Sequence, residues 1–440
     1  MITTAKEDLK TTKIEWDTEV PPAIRAWIIE VLSSLPAPVL VDLWGQEQIR
    51  AGQRAISPAT ELVLRIDHPG VIRQLFSTRD ALVLIEALCA GYVSIDGNTD
   101  ALNEIGRYCF RPQSSLQATI KAWFAAHKLP TLPLRPQKPS WSGLTVGSLE
   151  HNKQTVQYHF DVSNEFYALW LDPQMVYTCA HFEGETMSLA EAQEAKLETI
   201  CRKLQLKAGD YLLDIGCGWG GLLRWAATKY GVRGHGVTVS QEQLDYARHR
   251  IDQEGLSDRI KVDLMDYRQL PQEPTYDKIA SVGVIEHVGP DQYRTFFRRA
   301  YGALKPGGLY LNHSIATYTP WHGYTIGERF IQRFIFPDSK LGTLSTIIRA
   351  MERSGWEVVD VESWRPHYAR TCRQWASNLD SNMEKAEALV GRAKALLWKL
   401  YLQGSALAFE DNHFSLYQVL VRRCADQAWS LPMLRHGWLS

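Results

Sequence analysis

Residues 211–221, YLLDIGCGWGG, form an apolar run that ends in Gly216, Gly218, Gly220 and Gly221, with Asp214, Cys217 and Trp219 set among them. Glycine has no Cβ and takes positive φ at little cost, so a strand ending here can turn sharply and let a ligand lie against bare backbone before a helix begins. The residues that follow keep alternating. Strands are predicted at 211–216, 234–239, 260–264, 278–284 and 309–313, with helices at 221–230, 241–254 and 292–304 between them. Repeated strand–helix units imply a mostly parallel sheet covered on both faces, with ligands beyond the carboxyl ends of its strands. A glycine turn at such an end suits a nucleotide-like ligand.

Composition narrows the classes of function. With 440 residues, 45% of them hydrophobic, the chain has material for two or three domains with their own cores. No apolar run reaches the ~18 residues of a membrane span, and the acidic, polar start carries no apolar segment behind a basic cluster. Neither a spanning helix nor a signal peptide is expected, and the cytoplasm is the default compartment. Seven cysteines, at 89, 109, 179, 201, 217, 372 and 424, show no C-x-x-C spacing, which argues against a disulfide framework and against a metal site. A net charge of -1 argues against nonspecific nucleic-acid binding, so any membrane contact must come from a local patch. Fifteen tryptophans suit a lipid interface or a large apolar pocket as well as an ordinary core.

In chain order, 22–35 places Ile24, Trp27, Ile28, Val31, Leu32 and Leu35 on one helical face. A strand at 61–66, helices at 69–76 and 81–90, a turn at Asp96-Gly97-Asn98 and a helix from near Asp100 complete a small α+β accessory domain over 1–128. The proline-rich stretch 129–149 reads as a linker, and 150–440 as the second domain. Residues 151–182 are dense in aromatics, amides and histidines without a clean period, which suits a lid over a site better than a core element. A helix over 191–204 feeds the glycine strand. Beyond it, 317–341 interrupts the alternation. There Ile326, Phe330, Ile331 and Phe334 share a face while Arg329 and Arg333 lie elsewhere, a pattern that fits anionic lipid, an acyl channel or a helix packed on the sheet edge. Helices at 368–379 and 384–401 and a strand at 414–423 close the chain.

Polar residues collect where strands end. Thr238 and Gln243 follow the second strand, where they would offer neutral hydrogen bonds to a ribose, and Asp266 with Tyr267 ends the third, where a carboxylate can accept from an adenine amino group. Glu286, in GVIEHVGP, and His313, in LNHSIA, emerge beside the glycine turn. Together they could hold an anionic proton acceptor or act directly as base.

The pattern D-x-G-x-G-x-G over 214–220 resembles motif I of the class I S-adenosylmethionine-dependent methyltransferases. FDVSNEFYALWLDPQMVYTCAHF, LDIGCGWGGL, VTVSQEQ, MDYR, GVIEHVGP and LNHSIA follow one another in the order of the cyclopropane-fatty-acyl-phospholipid synthase family, and the chain resembles that family over most of 150–440. LRIDHP and IDGNTDAL carry a looser likeness in the accessory region. The resemblance implies a Rossmann-like catalytic domain with a mostly parallel sheet and a small amino-terminal α+β domain that binds lipid. It implies methylene transfer from S-adenosylmethionine to the cis double bond of a membrane phospholipid acyl chain. The alkene takes the sulfonium methyl, and loss of a proton from that methyl closes the ring. Bound bicarbonate would receive the proton, held by Cys179, Glu286, His313, the backbone of Ile315, and Tyr368. Tyr177, Thr178, Asp214, Gly216, Gly218, Gly220, Thr238, Gln243, Asp266 and Tyr267 would contact the cofactor. A homodimer at the inner face of the membrane is also implied. Thr178 stands where the family usually has serine, and many methyltransferases carry an acid near Thr238 and Gln243. Three rival readings remain open at this point: a 10-methylene or methyl-branched product from the same alkene, a lipid binder without turnover, and a small-molecule methyltransferase.

Overall fold

The computed structural model describes residues 16–33, 38–52, 61–99, 115–133, 162–319, 325–337, 339–424, 429 and 431–438. The chain divides into two compact units, 1–137 and 138–440. The helix expected from near Asp100, most of the stretch 129–149, residues 151–161 and part of the 317–341 insertion lie outside the described residues.

The amino-terminal unit is built on a four-stranded sheet in the order β2-β1-β3-β4. β1 is Val39–Leu43, β2 Glu47–Ala51, β3 Leu62–Ile66 and β4 Val93–Gly97. β1 and β2 form a hairpin whose turn places Trp44 and Gly45 at φ 41° and 75°. Helix Pro22–Leu32 buries Ile24, Ile28 and Leu32, the expected apolar face. Helices Gly70–Thr78 and Leu82–Cys89 fall where expected. The hairpin and helix Leu116–Ala126 go beyond what the periodicity signals. β2 reads EQIRA and buries only Ile49, too little alternation to announce a strand.

The larger unit carries a seven-stranded sheet, ordered β10-β11-β9-β8-β5-β6-β7. β5 (Tyr211–Ile215), β6 (Arg233–Thr238), β7 (Ile260–Leu264), β8 (Tyr276–Val282) and β9 (Leu304–Thr317) run parallel. β11 (Phe414–Arg423) and β10 (Trp356–Ser363) add an antiparallel edge. This is the mostly parallel α/β sheet that the alternation implies. β9 is longer than the expected 309–313: residues 305–308 form an irregularity inside it, since Tyr276 pairs with Leu304 but Lys278 with Leu309. The helix expected over 384–401 is two, Met383–Val390 and Arg392–Glu410, broken at Gly391 with φ 82°.

The expected lid over 151–182 needs correction. In its described part Ser163 caps a short helix, Asn164–Ala168, that turns Phe166, Tyr167 and Trp170 inward, each at 0% exposure. Trp170 lies 5.7 Å from Trp375 and 5.8 Å from Trp398, ring centre to ring centre, and 5.1 Å from Tyr177. The aromatics are dense because they interlock in a core between this segment and the carboxy-terminal helices. Truncating such a ring leaves a cavity that rigid neighbours cannot fill. Trp170→Ala is expected to destabilise the larger unit by about 3–5 kcal/mol, read as a lowered urea midpoint for its unfolding transition.

Candidate active site

The glycine turn follows β5. Gly216, Gly218 and Gly220 all take positive φ, at 77°, 53° and 82°. The N–H groups of Gly216 and Cys217 donate to the Val237 carbonyl at 2.9 and 3.0 Å, which ties the start of the turn to β6. A Cβ on Gly216 would come within 2.5 Å of Val284, whereas one on Gly218 would meet nothing within 4 Å and would stand in a cleft. That cleft, counted with its open mouth, encloses about 1180 Å³.

Nine of the ten residues expected at the cofactor line it: Tyr177, Thr178, Asp214, Gly216, Gly218, Thr238, Gln243, Asp266 and Tyr267. Gly220 is the exception. It caps helix Gly221–Tyr230, and its missing Cβ lets that helix approach Ala247, so it serves packing. The Thr238 hydroxyl donates to Gln243 Oε1 at 2.8 Å, which holds the amide at the end of β6. The Asp266 carboxylate is less free than its position suggests. It accepts from Arg268 N, Nε and Nη2 at 2.9, 2.8 and 2.9 Å, which leaves one lone pair, on Oδ2, for an adenine amino group.

The floor of the cleft is charged. Burial raises the Asp214 carboxyl to about 7, with Lys196 opposing the shift. Burial also lowers Lys196 to about 8, against the pull of Asp172, Cys179 and Asp214. Its Nζ donates to Thr178 Oγ1 at 2.9 Å. Sequence reasoning missed Lys196. The signal was there: it sits four residues from both Ala192 and Ile200, on the apolar stripe of helix Leu189–Lys203. His287, also missed, lines the cleft, and burial lowers its imidazole to about 4. Its ring lies 5.1 Å from that of Phe336, and Phe336 lies 6.0 Å from Tyr401. The interrupting segment therefore places an aromatic beside the site.

None of the residues expected to hold the proton acceptor lines this cleft; they are linked to one another through Glu286 with Ile315 and through Trp364 with Cys179, His313 and Tyr368. Glu286 lies in the turn Ile285–Val288 after β8, flanked by the cleft-lining Val284 and His287. Its Oε1 accepts from Ile315 N at 2.7 Å, so of the Ile315 backbone, expected at the anion, the N–H is engaged by Glu286. Burial raises the Glu286 carboxyl to about 7. Glu286 Oε2 and His313 Nε2 are both buried and have no hydrogen-bond partner among the described residues. His313 and Ile315 lie two apart on β9 and so share a face of the sheet. Burial, with the charges of Lys196 and Lys203, drives the His313 imidazole well below its ordinary range, so it is neutral.

Cys179 Sγ is 3.3 Å from the Ala180 carbonyl and 3.9 Å from that of Trp364, and burial pushes its thiol up, so it too is neutral. The Trp364 carbonyl also accepts from Tyr368 N at 3.1 Å, and the Trp364 ring lies 5.4 Å from His313. The Tyr368 ring stacks on Phe409 at 4.5 Å, and burial drives its phenol well above the ordinary range, so it keeps its proton. His313 is not at a strand end as expected, because β9 runs four residues past it; Cys179 and Tyr368 are not on strands of the sheet at all.

The mycolic acid cyclopropane synthetase family model matches residues 148–419. The chain belongs to that family. It is 38% identical over 426 residues to a probable fatty acid methyltransferase of Pseudomonas putida, covering 95% of this chain and 98% of the relative. The structure of a cyclopropane synthase from Mycobacterium tuberculosis superposes with a TM-score of 0.59 at 34% identity, covering 61% of this chain and 98% of the other. A mycolic acid cyclopropane synthase complexed with SAH and CTAB gives 0.58 at 32% identity, over 61% and 98%. This member of the family is thus an S-adenosylmethionine-dependent methyltransferase with the class I fold. The bare backbone at Gly218 and the buried Asp214 beneath it fit the cofactor's amino-acid end.

Because an added methyl at Gly218 meets only the cleft, Gly218→Ala is expected to cost no more than about 1–2 kcal/mol of folding stability, from its left-handed φ. The same variant is expected to bind S-adenosylhomocysteine at least tenfold more weakly by titration calorimetry.

Proposed function

We propose that this methyltransferase adds a methylene unit from S-adenosylmethionine across the cis double bond of an unsaturated phospholipid acyl chain, giving a cyclopropane ring, with bound bicarbonate as the proton acceptor. The observation that carries the proposal is the pair of buried, unpartnered polar atoms, Glu286 Oε2 and His313 Nε2, behind a cofactor cleft walled by aromatic rings. Other buried atoms here also lack partners, but these two belong to a carboxyl in the turn after β8 and an imidazole on the adjacent strand β9, the chemistry that would hold a small polar guest. S-adenosylmethionine supplies an electrophilic methyl group. An alkene is a weak nucleophile and the cation it becomes is easily quenched, so the protein must exclude water and present aromatic faces. Tyr177, Tyr368 and Tyr401 do this. They pack, partly buried, against a cluster rich in tryptophans and phenylalanines, and Tyr177 lines the cleft. Bicarbonate supplies a small base within that dry space. Glu286, ionised, would accept from its hydroxyl, His313 would donate to one of its oxygens, and Cys179 and Tyr368 would close the site.

The membrane is the proposed partner. Leu116, Ile120 and Phe124 follow one another at intervals of four on helix Leu116–Ala126 and are 77%, 47% and 61% exposed. Exposed Lys121 and Lys128 flank them, a pattern suited to an anionic lipid surface. The family resemblance adds a homodimer at the inner face of the membrane, which sedimentation of the full chain would test. No described helix is long and apolar enough to cross a membrane. A second product class, 10-methylene or methyl-branched, is favoured by the likeness to a probable fatty acid methyltransferase over nearly the whole chain.

Incubation with unsaturated phospholipid vesicles and labelled S-adenosylmethionine, followed by mass spectrometry of the acyl chains, is expected to give a cyclopropane; an exocyclic methylene or branched chain would replace it with the second product class. Since Glu286 titrates near 7, its carboxylate is lost as the pH falls through that value. Turnover at saturating cofactor is therefore expected to drop below about pH 7, and Glu286→Gln to lose at least about 100-fold in kcat while still binding S-adenosylhomocysteine. Leu116→Glu with Phe124→Glu is expected to abolish sedimentation with anionic vesicles and to leave cofactor binding unchanged.

A further inference from the structure

Behind His313 runs a chain of buried polar groups that the proposed reaction does not itself require. Lys203, at the end of helix Leu189–Lys203, is 1% exposed. Its Nζ contacts Glu362 Oε2 and donates to Gln418 Oε1 at 2.6 Å. Glu362 is held in turn by Trp364 Nε1 at 2.8 Å and by Arg435 at 2.7 Å. Gln418, 1% exposed on β11, faces His313 across the antiparallel β9–β11 pairing. Its Nε2 lies 3.0 Å from His313 Nδ1.

We infer that Lys203 and Gln418 are positioning residues that fix the tautomer of His313, with the proton on Nε2 and the lone pair on Nδ1. The logic is one of donors and acceptors. An ammonium group has donors only, so the Gln418 oxygen must face Lys203 and the amide nitrogen must face His313. An amide nitrogen also only donates, so Nδ1 must accept and the ring hydrogen must sit on Nε2. An imidazolium would set two donors against each other at Nδ1, and the Lys203 ammonium beyond the amide adds a like charge. The ring is thus neutral and singly oriented.

This has a consequence for the chemistry, and it rests on the anion site proposed above. Nε2, the buried unpartnered atom, presents a hydrogen and no lone pair. His313 can hold an oxygen of an anion there but cannot take up the proton released when the ring closes. Of the two roles open to His313 from its sequence position, holder of an acceptor or direct base, the relay leaves only the first. Elsewhere a buried partner that sets a histidine's tautomer is worth about 10–10⁴ in activity.

The test uses the full-length protein labelled with ¹⁵N-histidine, with His313→Asn to assign the ring signals. The wild type is expected to show a protonated Nε2 and an unprotonated Nδ1; the reverse pattern would overturn the inference, whatever any variant does. In Gln418→Glu the carboxylate can still meet Lys203 but can only accept from the imidazole, so the hydrogen is expected to move to Nδ1. Bicarbonate-stimulated turnover on phospholipid vesicles should then fall at least about 100-fold, with S-adenosylhomocysteine affinity within about twofold of wild type. An unchanged tautomer or unchanged turnover in a folded Gln418→Glu protein would overturn it. If the tautomer responds as expected while wild-type turnover is indifferent to bicarbonate, the relay stands and the bicarbonate proposal fails.

Discussion

The catalytic unit depends on keeping ionisable groups out of water in a site that must itself stay dry. A carboxylate or ammonium moved into such a place loses its hydration and must be paired, neutralised or held by hydrogen bonds. Each solution occurs here. Lys203 is paired with Glu362, Lys196 lies among Asp172 and Asp214, and Glu286 is tethered by one backbone N–H and shifted to about 7. His313 is neutral. The two lysines come from one helix, seven residues and about two turns apart on the same face, so a single element supplies both cations.

That arrangement separates two environments within a short distance. On the cofactor side, Lys196 and Asp214 give the cleft floor a charged pair near balance, suited to a ligand that itself carries both signs. On the far side, the Lys203–Gln418 chain reaches His313 through a neutral amide, and the Lys203 charge behind it helps keep the imidazole neutral. One aromatic cluster adjoins both, with Tyr177 and Trp219 on the cleft and Trp364 beside His313, and such rings can face a cation without reacting with it. The short segment leading to Thr178 and Cys179 joins the two sides, because Thr178 borders the cleft and Cys179 sits by the Trp364 carbonyl next to His313.

Parallel strand pairing makes the geometry reproducible. β8 lies between β5 and β9, so the turn after β8, which carries Glu286, stands between the glycine turn and the His313 strand. The antiparallel β11 then brings Gln418 opposite His313, a register set by the pairing of Phe414 to Arg422 with Leu309 to Thr317. A slip of one residue would send every side chain of β11 to the other face of the sheet and break the relay.

Much was legible without coordinates. Periodicity placed four of the five parallel strands and the helices between them to within two residues, since hydrophobic alternation and glycine punctuation are local properties of the chain, whereas β9 runs well past the expected 309–313 at both ends. Motif likeness marked Glu286, His313 and nine residues that do line the cleft. Local pattern could not show that Gly220 serves packing, that Ile315 N–H is already engaged, or that the aromatic segment before the catalytic turn is core. Lys196 carried a local signal, its place on an apolar helical stripe, but Lys203 and Gln418 are set in their roles by partners more than 100 residues away in sequence, which local pattern cannot show. The physical reason is the same in each case: strand and helix are decided by near neighbours along the chain, whereas the state of a buried polar group is decided by whatever the folded protein places against it.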